Sequence, residues 1–151
     1  MTNNYITYFD DVLDKTFCEN IIEYYEKTNN KELVENNNMR FTQLNLNQFP
    51  NDYAYEQLRI KKYMPNNKDE FKLHVDVEDY PTAKRFLVFF VYLNDNEKGL
   101  TCFPDYDIKV KPKTGRVLMF PPLWTHRHYA EKPIKEPKYI LGSYLHYVGA
   151  L

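Results

Sequence analysis

Phe71-Lys72-Leu73-His74-Val75-Asp76-Val77 alternates apolar and polar side chains without interruption. A period of two predicts a strand with Phe71, Leu73, Val75 and Val77 on one face and Lys72, His74 and Asp76 on the other. A little further on, Arg85-Phe86-Leu87-Val88-Phe89-Phe90-Val91-Tyr92-Leu93 is a nearly continuous apolar run, as a central strand covered on both sides requires. Working outward, further strands are expected at Leu58–Tyr63, Leu100–Phe103, Ile108–Val110, Arg116–Phe120, His126–Tyr129 and Lys138–Val148. Turns at Pro65–Lys68, Asn94–Gly99 and Pro112-Lys113-Thr114-Gly115 separate them. Upstream, Asn4–Phe9 reads as a strand and Asp14 as the N-cap of a helix, with Phe17, Ile21, Ile22 and Tyr25 as its apolar face and Asn29-Asn30 as its end. The Asn-rich stretch Asn29–Gln48 reads as loop, interrupted by one short strand around Arg40–Leu44. The pattern predicts a mainly β protein, a double-stranded β-helix (jelly roll, cupin-like) with an N-terminal helix packed on one sheet.

Composition narrows the class. A chain of 151 residues is expected to form one domain, 1–151, around a single core. Hydrophobic residues at 43% and charged residues at 27% exclude a disordered tail. No apolar run approaches the roughly 20 residues of a spanning helix, and Met1 to Asn4 lacks a signal pattern, so no membrane partner is expected. With a net charge of -1 and cations spread along the chain, the basic footprint of a nucleic-acid binder is missing. Cys18 and Cys102 form no short-spaced metal pair, and the expected setting is the reducing cytoplasm. The 17% aromatic content suits pleated, half-buried surfaces.

Candidate chemistry starts at His74-x-Asp76, where strand alternation presents an imidazole and a carboxylate to one side. Alone, this is equally a solvent-facing polar edge. Trp124-Thr125-His126-Arg127-His128 adds two histidines in a late strand, which a jelly roll can bring across its mouth. Two histidines and one carboxylate form the facial triad of non-heme Fe(II) oxygenases, leaving positions open for cosubstrate and oxygen. The same set also suits a hydrolytic metal site. A cation separates the two: Lys138, at the head of the last strand before Tyr139-Ile140-Leu141, would be drawn inward, and a buried ammonium needs an anion such as a dicarboxylate. Its plainer reading is a surface residue at a strand end.

In order, His74-x-Asp76, Tyr92-Leu93-Asn94, Gly99-Leu100-Thr101-Cys102-Phe103-Pro104, Val110-Lys111-Pro112-Lys113-Thr114-Gly115-Arg116-x-Leu118-x-Phe120, His128 and Lys138 resemble the prolyl 4-hydroxylase-like 2-oxoglutarate/Fe(II)-dependent dioxygenases. The resemblance runs from about Leu58 to Tyr147 and is nearest to compact viral or phage members. It implies iron held by His74, Asp76 and His128, and 2-oxoglutarate with its far carboxylate on Lys138. It also implies a hydroxyl from Tyr92 to that carboxylate, Tyr63 against the metal-proximal end, and Thr101 lining the pocket. Molecular oxygen is then the second cosubstrate and ascorbate an optional reductant. The implied reaction hydroxylates an unactivated C–H bond, foremost on a prolyl residue of a peptide or protein. The localisation implied is cytoplasmic, the host cytoplasm for a viral protein. Two departures, Lys98-Gly99-Leu100-Thr101 for Gly-Gly-Glu-Thr and Glu136-Pro137 ahead of the basic residue, fall in turns and leave the metal set intact. Rival readings are a free amino acid or small-molecule hydroxylase on the same fold, and a jelly-roll binding or viral structural module without catalysis. Strand parity cannot choose between His126 and His128; the family's ten-residue interval to Lys138 chooses His128.

Overall fold

A computed structural model describes residues 4–47 and 54–148. Its strands are β1 (Thr7–Phe9), β2 (Glu32–Glu35), β3 (Met39–Asn45), β4 (Arg59–Tyr63), β5 (Glu70–His74), β6 (Arg85–Tyr92), β7 (Thr101–Phe103), β8 (Ile108–Val110), β9 (Val117–Phe120), β10 (His128–Ala130) and β11 (Lys138–His146). One helix, α1 (Lys15–Lys27), lies between β1 and β2. The strands pair in the order β1-β9-β6-β11-β4-β3-β5-β10-β7-β8, with β2 added on β3. Every pairing is antiparallel, and the sheet curls on itself as the expected double-stranded β-helix.

Alternation along β4 and β11 sorts side chains to the two faces of this sheet. Ile60, Tyr139 and Leu141 turn outward and join Cys18 and Tyr25 of α1 in one apolar cluster, which is how the helix comes to cover one sheet. Tyr63 and Ile140 turn inward and meet Phe103, Leu118 and Phe120 from the opposite side of the curl. Asp14 caps α1 as expected, its side chain accepting from Phe17 N at 2.9 Å. The chain entering α1 is tied to the β8–β9 turn, where Val12 N donates to Gly115 O at 3.0 Å. Gly115 is required there: it has φ +75, and a Cβ would collide with the Leu13 carbonyl.

Several expectations are corrected. Phe17 is 49% exposed and Cys18 takes its place on the buried face, because the sheet lies nearer the Cys18–Tyr25 side of the helix. The Asn-rich stretch carries two strands, β2 and β3, paired as a hairpin from Glu32↔Gln43 to Glu35↔Arg40; the shortness of β2 and its flanking glutamates hid it, an edge strand of which only Val34 packs against the core. The end of that expected loop, Gln48, lies outside the described residues. In β5 the alternation stops at His74, and Leu73, placed on the apolar face, is 48% exposed.

Candidate active site

The break in β5 is what builds the site. His74 lies opposite His128 in the β5–β10 pair, yet the next partners are Phe71 and Ala130, so one strand gains a residue over the other. A bulge of this kind re-aims side chains. Phe71 and His74 therefore share the inner face, against the simple parity of the sequence, and their rings stack at 3.6 Å. Past His74 the chain leaves the strand and bends, held by Asp76 N and Val77 N, which both donate to Pro122 O at 3.1 Å. Asp76 thus reaches the same point from a bend rather than from the extended strand expected.

His74 Nε2 lies 3.7 Å from Asp76 Oδ1, and His128 Nε2 lies 3.4 Å from Asp76 Oδ2. One potential ligand atom from each of the three residues falls within 4.8 Å of the others. The remaining ring nitrogens are occupied: His74 Nδ1 donates to Lys72 O at 2.7 Å and His128 Nδ1 to His126 O at 3.0 Å. These bonds fix the tautomer, leaving both Nε2 lone pairs turned to Asp76. Burial pushes the His128 imidazole down to about 4, which keeps it neutral. Burial works to raise the Asp76 carboxyl, but the two imidazoles and the Tyr144 hydroxyl beside it hold it well below the usual range. Among the described residues, His74 Nε2 and Asp76 Oδ2 are buried without any hydrogen-bond partner. Buried polar atoms are rarely left so, and two imidazole nitrogens facing a carboxylate are the donor set of a divalent metal.

His126 is a different kind of residue. It closes a short 3₁₀ turn, Trp124–His126, ahead of β10, so the shared strand face expected for His126 and His128 does not exist. Its Nε2 donates to Asn4 O at 2.7 Å, and its ring stacks on Tyr106 at 5.2 Å. The turn rotates it toward the N-terminal segment, and His128 alone joins His74 and Asp76.

From the triad a cavity runs along β4 and β11 to Lys138, lined also by Tyr63, Thr101, Phe120 and Ile140. Lys138 is 2% exposed, which excludes the surface reading. Its ammonium donates to Gly99 O at 2.9 Å and lies 4.9 Å from the centre of the Tyr63 ring. Two of its N–H groups remain for an anion, and burial lowers its pKa to about 8. A Cβ on Gly99 would meet Lys138 Cδ at 3.2 Å, so this glycine lets the lysine chain pass. Tyr92 stands one layer back: its hydroxyl donates to Thr101 Oγ at 2.7 Å, and it does not line the cavity. Thr101 rather than Tyr92 presents a hydroxyl there, its own proton left free by accepting from Tyr92.

The sequence reading missed Lys61, Arg85 and Tyr144. Parity could have found two of them, since Lys61 is two residues before Tyr63 and Tyr144 is six after Lys138, on the same inner faces. Arg85 sits at the start of β6, where its guanidinium pairs with Glu56, donates to Asp76 O at 2.6 Å and lies 4.0 Å from the centre of the Tyr144 ring. Nothing in the local sequence signals that arrangement.

A family model described as the 2OG-Fe(II) oxygenase superfamily matches residues 58–146, the stretch that carries the triad, the cavity and Lys138. The chain belongs to the 2OG-Fe(II) oxygenase superfamily. It is an oxygenase that depends on Fe(II) and 2-oxoglutarate. Among solved structures it is similar to a viral collagen prolyl hydroxylase of Paramecium Bursaria Chlorella virus-1 in complex with 2OG. That match has a TM-score of 0.75 at 19% identity, covering 95% of this chain and 97% of the other. A Pseudomonas putida prolyl-4-hydroxylase matches at TM-score 0.75 and 10% identity, over 97% and 95% of the two chains. A Trichoplax adhaerens prolyl hydroxylase, solved with a hypoxia inducible factor peptide fragment, matches at TM-score 0.73 and 15% identity, over 95% and 84%. Likeness at these identities establishes the shared fold. Among curated proteins, none matches this chain in sequence.

Proposed function

We propose that His74, Asp76 and His128 hold the Fe(II) of this oxygenase, that 2-oxoglutarate lies between them and Lys138, and that the substrate is a prolyl residue of a peptide or protein. The observation that carries the metal assignment is the pair of orphaned buried atoms, His74 Nε2 and Asp76 Oδ2, facing His128 Nε2. The same atoms argue against a purely structural jelly roll, which would gain nothing from leaving them unpaired. Lys138, Thr101 and Tyr63 offer donors along the cavity, as a dicarboxylate needs. Phe71, Phe120, Val88 and Ile140 line the walls between and exclude water from the reacting centre.

Bound Fe(II) and 2-oxoglutarate supply the oxidising chemistry, in which molecular oxygen and 2-oxoglutarate give succinate, carbon dioxide and a hydroxylated C–H bond. What the chain itself contributes is placement. Lys138 anchors the far carboxylate, Tyr144 and Arg85 fix Asp76 through its Oδ1 and its main-chain carbonyl, and the backbone carbonyls of Lys72 and His126 hold the two imidazoles in their tautomers. Support for a prolyl peptide comes from the fold shared with prolyl hydroxylases and from a groove outside the triad, lined by Val34, Met39, Phe41, Phe71, Glu78 and Thr82 among others. A viral origin and a cytoplasmic setting belong to the same proposal; two buried, unpaired thiols, Cys18 and Cys102, suit a reducing compartment.

Anaerobic addition of Fe(II) and 2-oxoglutarate tests the site, with a visible charge-transfer band as the expected result. Admission of air with prolyl peptides should then couple succinate release to hydroxyproline formation. Absence of the band would overturn the site, and a band with succinate but no hydroxyproline would overturn the substrate.

A further inference from the structure

Lys61 is a cation that, among the described residues, has no direct ion pair, the carboxylates of Asp76 and Glu56 acting on it only from a distance, and it stands where two cavities meet. It lines both the inner cavity and the outer groove, as do Phe71, His74, Asp76 and Tyr144, so it marks the junction between them. Among the described residues its ammonium has no hydrogen bond or ion pair. It rests instead 4.9 Å from the centre of the Phe41 ring and 5.9 Å from that of Phe71. Phe71 in turn stacks on the His74 imidazole, which puts Lys61 one ring away from the triad.

Of the carboxylates in the outer groove, Glu32, Glu78 and Asp79 are exposed to solvent, Asp79 is bonded to Thr82 and Glu32 to Gln43, and none is ion-paired with Lys61. Arg59 and Arg85 both pair with Glu56. Asp76 is held by Tyr144 and committed to the two histidines. Lys138 serves the opposite end of the cavity. The register of β4 against β11 separates the two lysines, with Tyr63 opposite Lys138 and Lys61 opposite Ile140, about 7 Å nearer the mouth. A partly buried ammonium flanked by rings and with no anion in direct contact among the described residues can receive one. Burial already lowers its pKa to about 8.

We infer that Lys61 is a specificity-determining residue that receives a carboxylate carried by the primary substrate beside the carbon to be hydroxylated. This rests on the function proposed above and narrows its substrate class to anionic prolyl substrates. The carboxylate has two possible sources, an acidic side chain next to the prolyl residue or the free α-carboxylate of a terminal proline, and both meet Lys61 by the same chemistry.

The test uses the full chain loaded with Mn(II), which occupies the site without turnover. Binding of 2-oxoglutarate is measured first by calorimetry, followed by two pairs of short blocked peptides. One pair differs only by Glu or Gln after the proline, and the other only by a free or amidated C-terminal proline. We expect the wild type to prefer the carboxylate member of at least one pair by about tenfold or more, as charge-assisted bonds allow; which pair shows it identifies the source. Lys61→Gln should erase the preference with 2-oxoglutarate binding unchanged within about twofold, and Lys61→Arg should retain it. Equal binding of both members of both pairs, with 2-oxoglutarate still bound, would overturn the inference alone. So would a Lys61→Gln variant that loses 2-oxoglutarate and keeps the peptide preference. A wild type that binds neither Mn(II) nor 2-oxoglutarate would overturn the site reading and this inference with it.

Discussion

The Tyr144 hydroxyl donates to Oδ1 of Asp76 at 2.7 Å, joining the last strand to the bend after β5. With Oδ1 held this way, Oδ2 is the carboxylate oxygen left bare toward His128. Removing only the hydroxyl, in Tyr144→Phe, keeps the ring under Arg85 and should leave the fold intact. Metal affinity should fall about 10–100-fold, as it does when a ligand loses its orienting partner. A Mn(II) titration with affinity unchanged from wild type would show that Asp76 needs no such support.

Removal of a ligand should be more severe than removal of its support. In His74→Ala or Asp76→Ala, the rise in Tm that Mn(II) gives the wild type should vanish, since stabilisation by a ligand requires binding to the folded state. A metal-dependent Tm shift of wild-type size in either variant would remove that residue from the triad.

His126 and His128 should separate cleanly. His128→Ala should eliminate the charge-transfer band formed with Fe(II) and 2-oxoglutarate. His126→Ala removes the bond to Asn4 O and the stack on Tyr106, so it should lower stability by about 1–3 kcal/mol and weaken the band without erasing it. Loss of the band in His126→Ala and its survival in His128→Ala would exchange their roles.

Lys138→Met should raise the 2-oxoglutarate requirement about 10–150-fold, the equivalent of about 1.5–3 kcal/mol for a charge-assisted bond, with little change in metal affinity. Tyr92→Phe should act in the same direction and more weakly, because it reaches the cavity only through Thr101. Equal losses of both affinities in Lys138→Met would make the lysine a structural residue.

The same lysine predicts a pH dependence of stability. Burial lowers its pKa from 10.5 to about 8, so below pH 8 both folded and unfolded states carry the charge and the cost of burying it is fully present. Between about pH 8 and 10.5 the unfolded state holds the proton more tightly, and stability contributed by this group rises with pH, by on the order of 3 kcal/mol in all. Lys138→Met lacks this cost. Its advantage over wild type in urea unfolding, in the absence of 2-oxoglutarate, should therefore be largest near pH 7.5 and shrink by pH 10. A difference that is flat across this range would refute the assignment.

Much of the molecule was written in local sequence. Alternation and apolar runs placed β4, β6, β7, β8 and β9 within a residue or two, Asp14 marked the helix start, and the order of His74, Asp76, His128 and Lys138 was enough to indicate the family. These features are local because strand and cap preferences depend on a residue and its near neighbours. What tertiary structure alone decided were the matters of orientation. The bulge between β5 and β10 overrode strand parity, bringing Phe71 onto the face of His74. The 3₁₀ turn at Trp124–His126 sent one histidine to Asn4 and left the other for the site. Tyr92 was set behind Thr101, and Lys61, Arg85 and Tyr144 were gathered around Asp76 from strands far apart in the chain. Such placements depend on pairing register and on what packs across the curl, and no window of sequence contains both partners.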